Sequence, residues 1–282
     1  MQLLRPESVE EAAAALAPGG TGNGAVALAG GTDLVPLLRD RIVETETLVE
    51  LRGAVPTGIS GRTIGAGTTL SVLEADPDVP AVLREACRLA ASPQLRAMGT
   101  IGGNLLQATR CWYWRLKFPC YLHGGETCHA KEGQHREHAI FGNDRCASAH
   151  PSDPAAALLA LNTVIRTDRR ELPLADLYRL PTDADRRLTS LEPGELILEV
   201  DVPAADSSVY LKAMDRRRWA FALVGVAAAH VGGETRIALA GVAPVPWLLA
   251  SPEELEHATP LPGTEYKVEI ARTLVERALD GL

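Results

Sequence analysis

Two short glycine segments and one group of cysteines carry most of the chemistry this chain could do. The first segment is Ala29, Gly30, Gly31, Thr32, Asp33 and Leu34, directly after a short apolar run. The second is Thr100, Ile101, Gly102, Gly103 and Asn104. Consecutive backbone N–H groups at a strand-to-helix turn carry partial positive charge and suit a doubly charged diphosphate. Glycine lets the backbone come close to such a group and take a positive φ. Either segment alone is more often an ordinary turn. The chain has neither GxGxxG nor the phosphate-loop pattern GxxxxGK(S/T), so the common nucleotide-binding folds are not signalled.

Four of the five cysteines fall in one stretch: Cys111, Cys120, Cys128 and Cys146, spaced C-x8-C-x7-C-x17-C. In a reducing compartment such grouping points to metal rather than to disulfides. Four thiolates can satisfy a tetrahedral zinc or the irons of a 4Fe–4S cluster. The spacing leaves zinc and iron–sulfur even, since the tight CxxC pairs common in zinc sites are absent. Four unrelated reduced thiols are the remaining possibility. Cys87 lies within the helical pattern EACRLAAS and is expected in the core. His123, His129, His135, His138 and His150 share the cysteine region; one could replace a cysteine as ligand, but with four cysteines available most are expected as polar loop residues, one of them packing on the bound group. Trp112, Tyr113 and Trp114 adjoin Cys111, either as packing or as a partner-facing patch.

The elements that must hold these groups follow from periodicity and punctuation. A capped helix is predicted over 9–16, a glycine-rich turn over 19–24, a strand over 25–29, a helix from 34 to 39 and a strand over 48–51. These make a first α/β lobe, residues 1–55. A strand at 63–66, helices at 71–75 and 79–91, a helix at 154–161 and a strand at 163–167 make a second lobe, residues 56–170. Ser92-Pro93 breaks its second helix. The 100–104 segment is predicted at a strand or turn edge, and 107–149 is a cysteine-rich insert with little periodicity. In residues 171–282, strand-like runs at 195–202, 209–214 and 236–242 and an amphipathic helix at 265–279 predict a small sheet packed with helices. The apolar run 221–230 fits a strand or a buried helix equally.

Net charge is −8, and the arginine triplet 216–218 is too short to bind nucleic acid. No apolar stretch is long enough to span a bilayer, and the N-terminus lacks a basic region followed by an apolar run. The cytoplasm is the expected compartment, with neither nucleic acid nor membrane as partner.

The two glycine segments, in this order and spacing, resemble the FAD-binding subunits of the molybdenum hydroxylase family, which includes xanthine dehydrogenase and aerobic CO dehydrogenase. HPSDPAAALLALNTVI, PGELILEVDVP and YLKAMDRRRWAFALVGVAAA continue the resemblance over essentially the whole chain. It implies an α+β fold: a two-lobed FAD-binding domain of the vanillyl-alcohol oxidase-like (PCMH) type, then a small antiparallel sheet with helices. By the same resemblance residues 29–34 wrap the FAD diphosphate and 100–104 form a second clamp. Asp153 lies near the flavin or ribityl chain, Ile197 against the ring and Lys212 near the isoalloxazine. An insert with cysteines at this position is similar to those of 4-hydroxybenzoyl-CoA reductase and bacterial aldehyde oxidoreductases, where it holds a 4Fe–4S cluster. The resemblance implies an electron-transfer subunit without catalytic residues of its own, working with a molybdenum-cofactor large subunit and a 2Fe–2S small subunit. A stand-alone flavoenzyme and a zinc-stiffened, non-enzymatic binding module are the alternatives.

Overall fold

The computed structural model describes residues 1–18, 24–215 and 219–282. Most of the turn predicted at 19–24, and all of the triplet 216–218, lie outside the described residues.

The first lobe runs β1 (Gln2–Leu4), α1 (Val9–Leu16), β2 (Val26–Leu28), α2 (Leu34–Arg39) and β3 (Thr47–Glu50). Ser8 caps α1 by accepting from the Glu11 N–H, and Glu10 and Glu11 place negative charge on its positive end. The three strands form a parallel sheet in the order β1-β3-β2. The middle strand β3 buries Thr47, Leu48 and Val49, as a parallel strand covered on both faces should.

The second lobe contains β4 (Ile59–Ser60), β5 (Thr63–Gly65), α3 (Leu70–Ala75), α4 (Ala81–Ala90), α5 (Pro93–Arg96) and α6 (Ile101–Leu105). After α7 (Trp112–Arg115) and the insert come α8 (Asp153–Ala160), β6 (Val164–Thr167), β7 (Glu171–Pro173), α9 (Leu174–Leu177) and β8 (Ile197–Asp201). Its antiparallel sheet has the order β4-β5-β8-β6-β7. Strands β7 and β8 lie past the expected boundary near 170, and β8 fills the gap between β5 and β6. Alternation in 195–202 identified a strand but not its partner, which only long-range pairing decides. Residues 100–104 also differ from expectation. They open a helix, because the Thr100 hydroxyl accepts from the Gly103 N–H and caps α6.

Every residue of α8 is buried. Its alanines let it lie between α4 on one side and the C-terminal sheet on the other. That sheet is an antiparallel meander of β9 (Ser207–Asp215), β10 (Trp219–Val231), β11 (Glu234–Ala240) and β12 (Trp247–Leu249), backed by α10 (Tyr266–Asp280). The apolar run in β10 is a strand with both faces covered. Val224, Val226 and Ala228 pack with Ala271 and Val275 of α10, while Ala227 and Ala229 join the core that contains α8. Burial on both faces erases the alternation that would have marked it as a strand.

The insert is fastened to this C-terminal sheet. Ile140 and Phe141 donate backbone N–H groups to Val242 O, His150 N–H to Ala243 O, and Thr259 N–H to Ile140 O. Phe141 stacks on Trp247 with centroids 5.2 Å apart. Lys267 is fully buried, and its Nζ donates to Glu137 O and Gly241 O, both at 2.9 Å. Burial pushes its pKa down to about 7, against the opposing effect of Glu137. Among the described residues no helix is long and apolar enough to cross a membrane.

Candidate functional site: a diphosphate cradle beside four thiols

A cavity of about 1050 Å³ opens where the two lobes and the start of β10 meet. Its wall includes all of Ala29, Gly30, Gly31, Thr32, Asp33 and Leu34, then Thr100, Gly102, Gly103, Asn104 and Ile197. Ile101 is fully buried and points into the core instead. A volume at the top of the usual range for ligand sites suits a long dinucleotide better than a small substrate.

The first segment turns out of β2 and into α2. Gly31 takes φ +70°, which a side chain would resist. A Cβ on Gly30 would run into the backbone carbonyl of Met98, so glycine there lets the first segment pack directly on the turn before α6. Among the described residues, none of the backbone N–H groups of Gly30, Gly31, Thr32 and Asp33 donates to another protein group. Buried or enclosed backbone donors are rarely left unpaired, and four in succession beside a cavity form an anion cradle.

The second segment is different. Gly102 N–H donates to Ala66 O, Gly103 N–H to Thr100 Oγ1 and Asn104 N–H to Thr100 O. These donors, expected as a second clamp, are therefore already satisfied by the protein. Gly102 is needed for packing, since its Cβ would stand 3.0 Å from that of Ala66. Asn104 keeps an amide on the cavity wall, oriented by Ser152 Oγ, which donates to Asn104 Oδ1 at 2.5 Å. Ser152 also caps α8 through the Ala155 N–H.

The charged side chains of the wall are paired off. Arg88 pairs with Glu85, Arg96 with Glu74, and Glu195 with Arg170. Asp33 accepts from the Ala108 N–H at 2.7 Å, from Arg110 at 2.5 Å and from Arg115 at 3.0 Å. Its carboxylate thus faces the insert, not a ligand, and ties the first glycine segment to the residues flanking Cys111. Arg110 lies over the Phe221 ring at 4.8 Å, and its Nε is buried without a hydrogen-bond partner. Burial lowers the Arg110 pKa from its ordinary value, with Asp33 opposing. These residues fit a bound diphosphate: unpaired N–H groups, an orphaned guanidinium nitrogen and no unpaired carboxylate on the wall.

Asp153 and Lys212 are brought together, though not onto the cavity wall. They form an ion pair at 2.7 Å with side chains 1% and 0% exposed. Tyr210 donates to the other Asp153 oxygen, and Lys212 Nζ donates to Leu89 O at 2.7 Å. Leu89 does line the cavity. The pair therefore sits one layer behind the wall and fixes the end of α4. Burial pushes the Asp153 pKa up, with Lys212 and Tyr210 pulling the other way. Sequence reasoning missed the wall made by residues 88–93 and the Arg110–Phe221 contact. The Ser92-Pro93 signal was visible, but as a helix break rather than as a cavity wall.

Behind Asp33, the four cysteines Cys111, Cys120, Cys128 and Cys146 line one small cavity with Tyr113, Trp114, Tyr121 and His129. All are free thiols, and Cys87 lies apart in the core of the second lobe. The neighbouring Cys146 thiol, together with the Ala147 N–H, pulls the Cys128 thiol down to about 5, while Cys128 and burial push Cys146 well up. Burial pushes Cys111 up to about 11. Among the described residues no three His, Cys, Asp or Glu side chains are placed to hold a single metal ion. The expected histidines serve different ends. His135 Nε2 meets the Gly263 N–H, His123 stacks on Trp114, His150 is buried against Tyr178, and His138 Nε2 meets Cys111 Sγ at 3.2 Å.

Fold and site together define a dinucleotide-binding protein of two lobes with an appended sheet domain. Residues 1–205 match the family described as the FAD binding domain in molybdopterin dehydrogenase. The chain is 39% identical over 243 residues to the aldehyde oxidoreductase FAD-binding subunit PaoB of Escherichia coli, covering 79% of this chain and 76% of that one. It is 32% identical over 255 residues to the carbon monoxide dehydrogenase medium chain of Hydrogenophaga pseudoflava, covering 85% and 74%. A solved structure of carbon monoxide dehydrogenase from Hydrogenophaga pseudoflava, in a form lacking the Mo-pyranopterin moiety, superposes with a TM-score of 0.71 at 26% identity, over all of this chain and 96% of that one. The chain belongs to the FAD-binding subunits of the molybdenum hydroxylase family, as its paired glycine segments implied.

Proposed function

We propose that this chain is the FAD- and 4Fe–4S-carrying electron-transfer subunit of a molybdenum-dependent hydroxylase or dehydrogenase, assembled with a molybdenum-cofactor large subunit and a 2Fe–2S small subunit. The observation that carries the FAD part is the run of four N–H groups at Gly30, Gly31, Thr32 and Asp33 that have no partner among the described residues, lining a cavity whose charged side chains are already paired. When bound, flavin exchanges electrons in pairs or singly, and an iron–sulfur cluster exchanges them one at a time. The chain's own residues supply position. The N–H groups hold the diphosphate, Ile197 and Phe221 line the apolar part of the cavity, and Asp33 locks the cradle to the insert.

Convergence of four thiols on one cavity supports the cluster. Zinc, with Zn–S bonds of about 2.3 Å, is the alternative occupant of the same four thiols. That the relatives are described as medium chains supports assembly with further subunits.

Anaerobically purified protein tests this through its absorption spectrum with flavin, iron and zinc analysis. A flavin band with about four irons per chain is expected. Flavin with zinc and no iron would remove the cluster while leaving the FAD site. A colourless zinc protein would leave only a binding module. Copurification with a molybdenum-containing chain is expected, and substrate turnover by this chain alone would favour a stand-alone flavoenzyme.

A further inference from the structure

The four thiols are not equivalent in what meets their sulfur. The Ala147 N–H donates to Cys128 Sγ at 3.4 Å, and Cys146 Sγ donates to Ser148 Oγ at 3.3 Å. Cys111, besides the backbone N–H groups of Trp114 and Tyr113, meets a side-chain nitrogen, His138 Nε2 at 3.2 Å. His138 is 2% exposed, and its other nitrogen, Nδ1, is buried without a partner. The ring therefore makes one side-chain hydrogen bond, and it makes it to sulfur.

Several elements hold the ring in that place. The His138 N–H donates to His135 O at 2.9 Å, closing a turn. Lys267, from α10, grips the carbonyl of the preceding residue, Glu137. Trp112 packs edge-on against the imidazole with centroids 5.1 Å apart. A thiolate bound to iron has no proton to give and can only accept. With Cys111 as a ligand, the proton of the pair must sit on Nε2, and the bond runs N–H to sulfur.

We propose that His138 is a positioning residue for the iron–sulfur site, an N–H donor to the Cys111 sulfur that makes the cluster easier to reduce. The inference rests on the proposed assignment of the four cysteines as cluster ligands. Reduction adds negative charge that spreads onto the ligand sulfurs, and a hydrogen bond to sulfur stabilises that charge, so it raises the reduction potential. A ring that only fills space beside Trp112 would leave the potential unchanged when replaced by an apolar ring.

The test uses anaerobically purified full-length protein with its native partners, with iron analysis and a redox titration followed by electron paramagnetic resonance. His138→Phe keeps a ring for Trp112 and removes the donor. His138→Gln restores an N–H donor of similar reach. The expected result is wild-type iron content in both, a more negative midpoint potential with an altered signal in His138→Phe, and a return toward wild type in His138→Gln. Full iron with an unchanged potential in His138→Phe overturns the proposal. Should His138→Phe lose its iron, His138→Gln decides. A loaded cluster near the wild-type potential supports the donor role, and iron loss from both variants refutes it. Absence of iron from the wild type would instead overturn the cluster assignment itself, a failure visible before any variant is made.

Discussion

The two glycine segments look alike in sequence and do opposite things in the structure. In 29–34 four consecutive N–H groups have no partner among the described residues, one glycine sits at φ +70°, and the following aspartate is held by two arginines from the insert. In 100–104 the N–H groups of Gly102, Gly103 and Asn104 are all consumed, by Ala66 and Thr100, and the segment is the capped start of a helix. A Gly-Gly pair thus states only that backbone approaches something closely. At Gly30 and Gly102 that something is protein. At Gly31 the requirement is conformational. Only the account of where each N–H goes separates the cradle from the wall.

The comparison is broken most severely at Asp33. Its side chain is 17% exposed and answers Arg110, Arg115 and the Ala108 N–H. Removing it in Asp33→Ala strands two enclosed guanidinium groups, at a cost of about 3 kcal/mol. Chemical denaturation should show a lower midpoint, and flavin should leave more easily, because the cradle loses its tether to the insert. Unchanged stability would mean that the cradle stands without the insert. Gly30→Ala comes next. Its added Cβ meets the Met98 carbonyl, and separating the first segment from the turn at 97–99 should cost about 2 kcal/mol. Thermal unfolding of flavin-free protein measures that cost apart from ligand loss.

Local signals made much of this legible. The spacing of apolar residues and the caps located α1, α2, α4, α8 and α10 to within a few residues, since each is amphipathic or punctuated by Ser, Thr or Pro. The three-residue and two-residue strands β1, β4, β7 and β12 escaped, because elements that short carry no period. Strand β10 stayed ambiguous for the opposite reason, being covered on both faces. At the site, residue types pointed to two backbone segments that line one cavity and to four cysteines that line another. What sequence could not show is which donors remain free, since Gly102 N–H finds Ala66 only through the turn after β5. Nor could it show that Asp33, apparently part of a phosphate loop, spends its carboxylate on Arg110 and Arg115, more than seventy residues away.

A milder change sharpens the second segment. Thr100→Val removes the hydroxyl that caps α6 and should cost about 1 kcal/mol. It also frees the Gly103 N–H, making the second segment more like the first. Flavin affinity should therefore fall less than stability does, which titration of apo-protein with FAD while following flavin fluorescence would measure.

The smallest effect on the fold is expected at Gly103. This glycine is exposed on the cavity wall, its φ is not positive, and a Cβ there would stand 3.0 Å from Thr100 Oγ1 and 3.9 Å from Ala29 Cβ. Alanine improves helix propensity by up to about 1 kcal/mol, and the close contact with Thr100 offsets part of that. Gly103→Ala should therefore melt within a few degrees of wild type and retain flavin. Gly103→Glu should fold nearly as well but place a carboxylate in the cavity that the Gly30–Asp33 donors also face. Like charges across an enclosed, weakly screened site repel strongly, so flavin content should collapse. Loss of flavin in Glu but not Ala would show that the wall at 103 faces the diphosphate. Equal retention in both would put the diphosphate farther along the first segment, leaving Gly103 as packing for α6 alone.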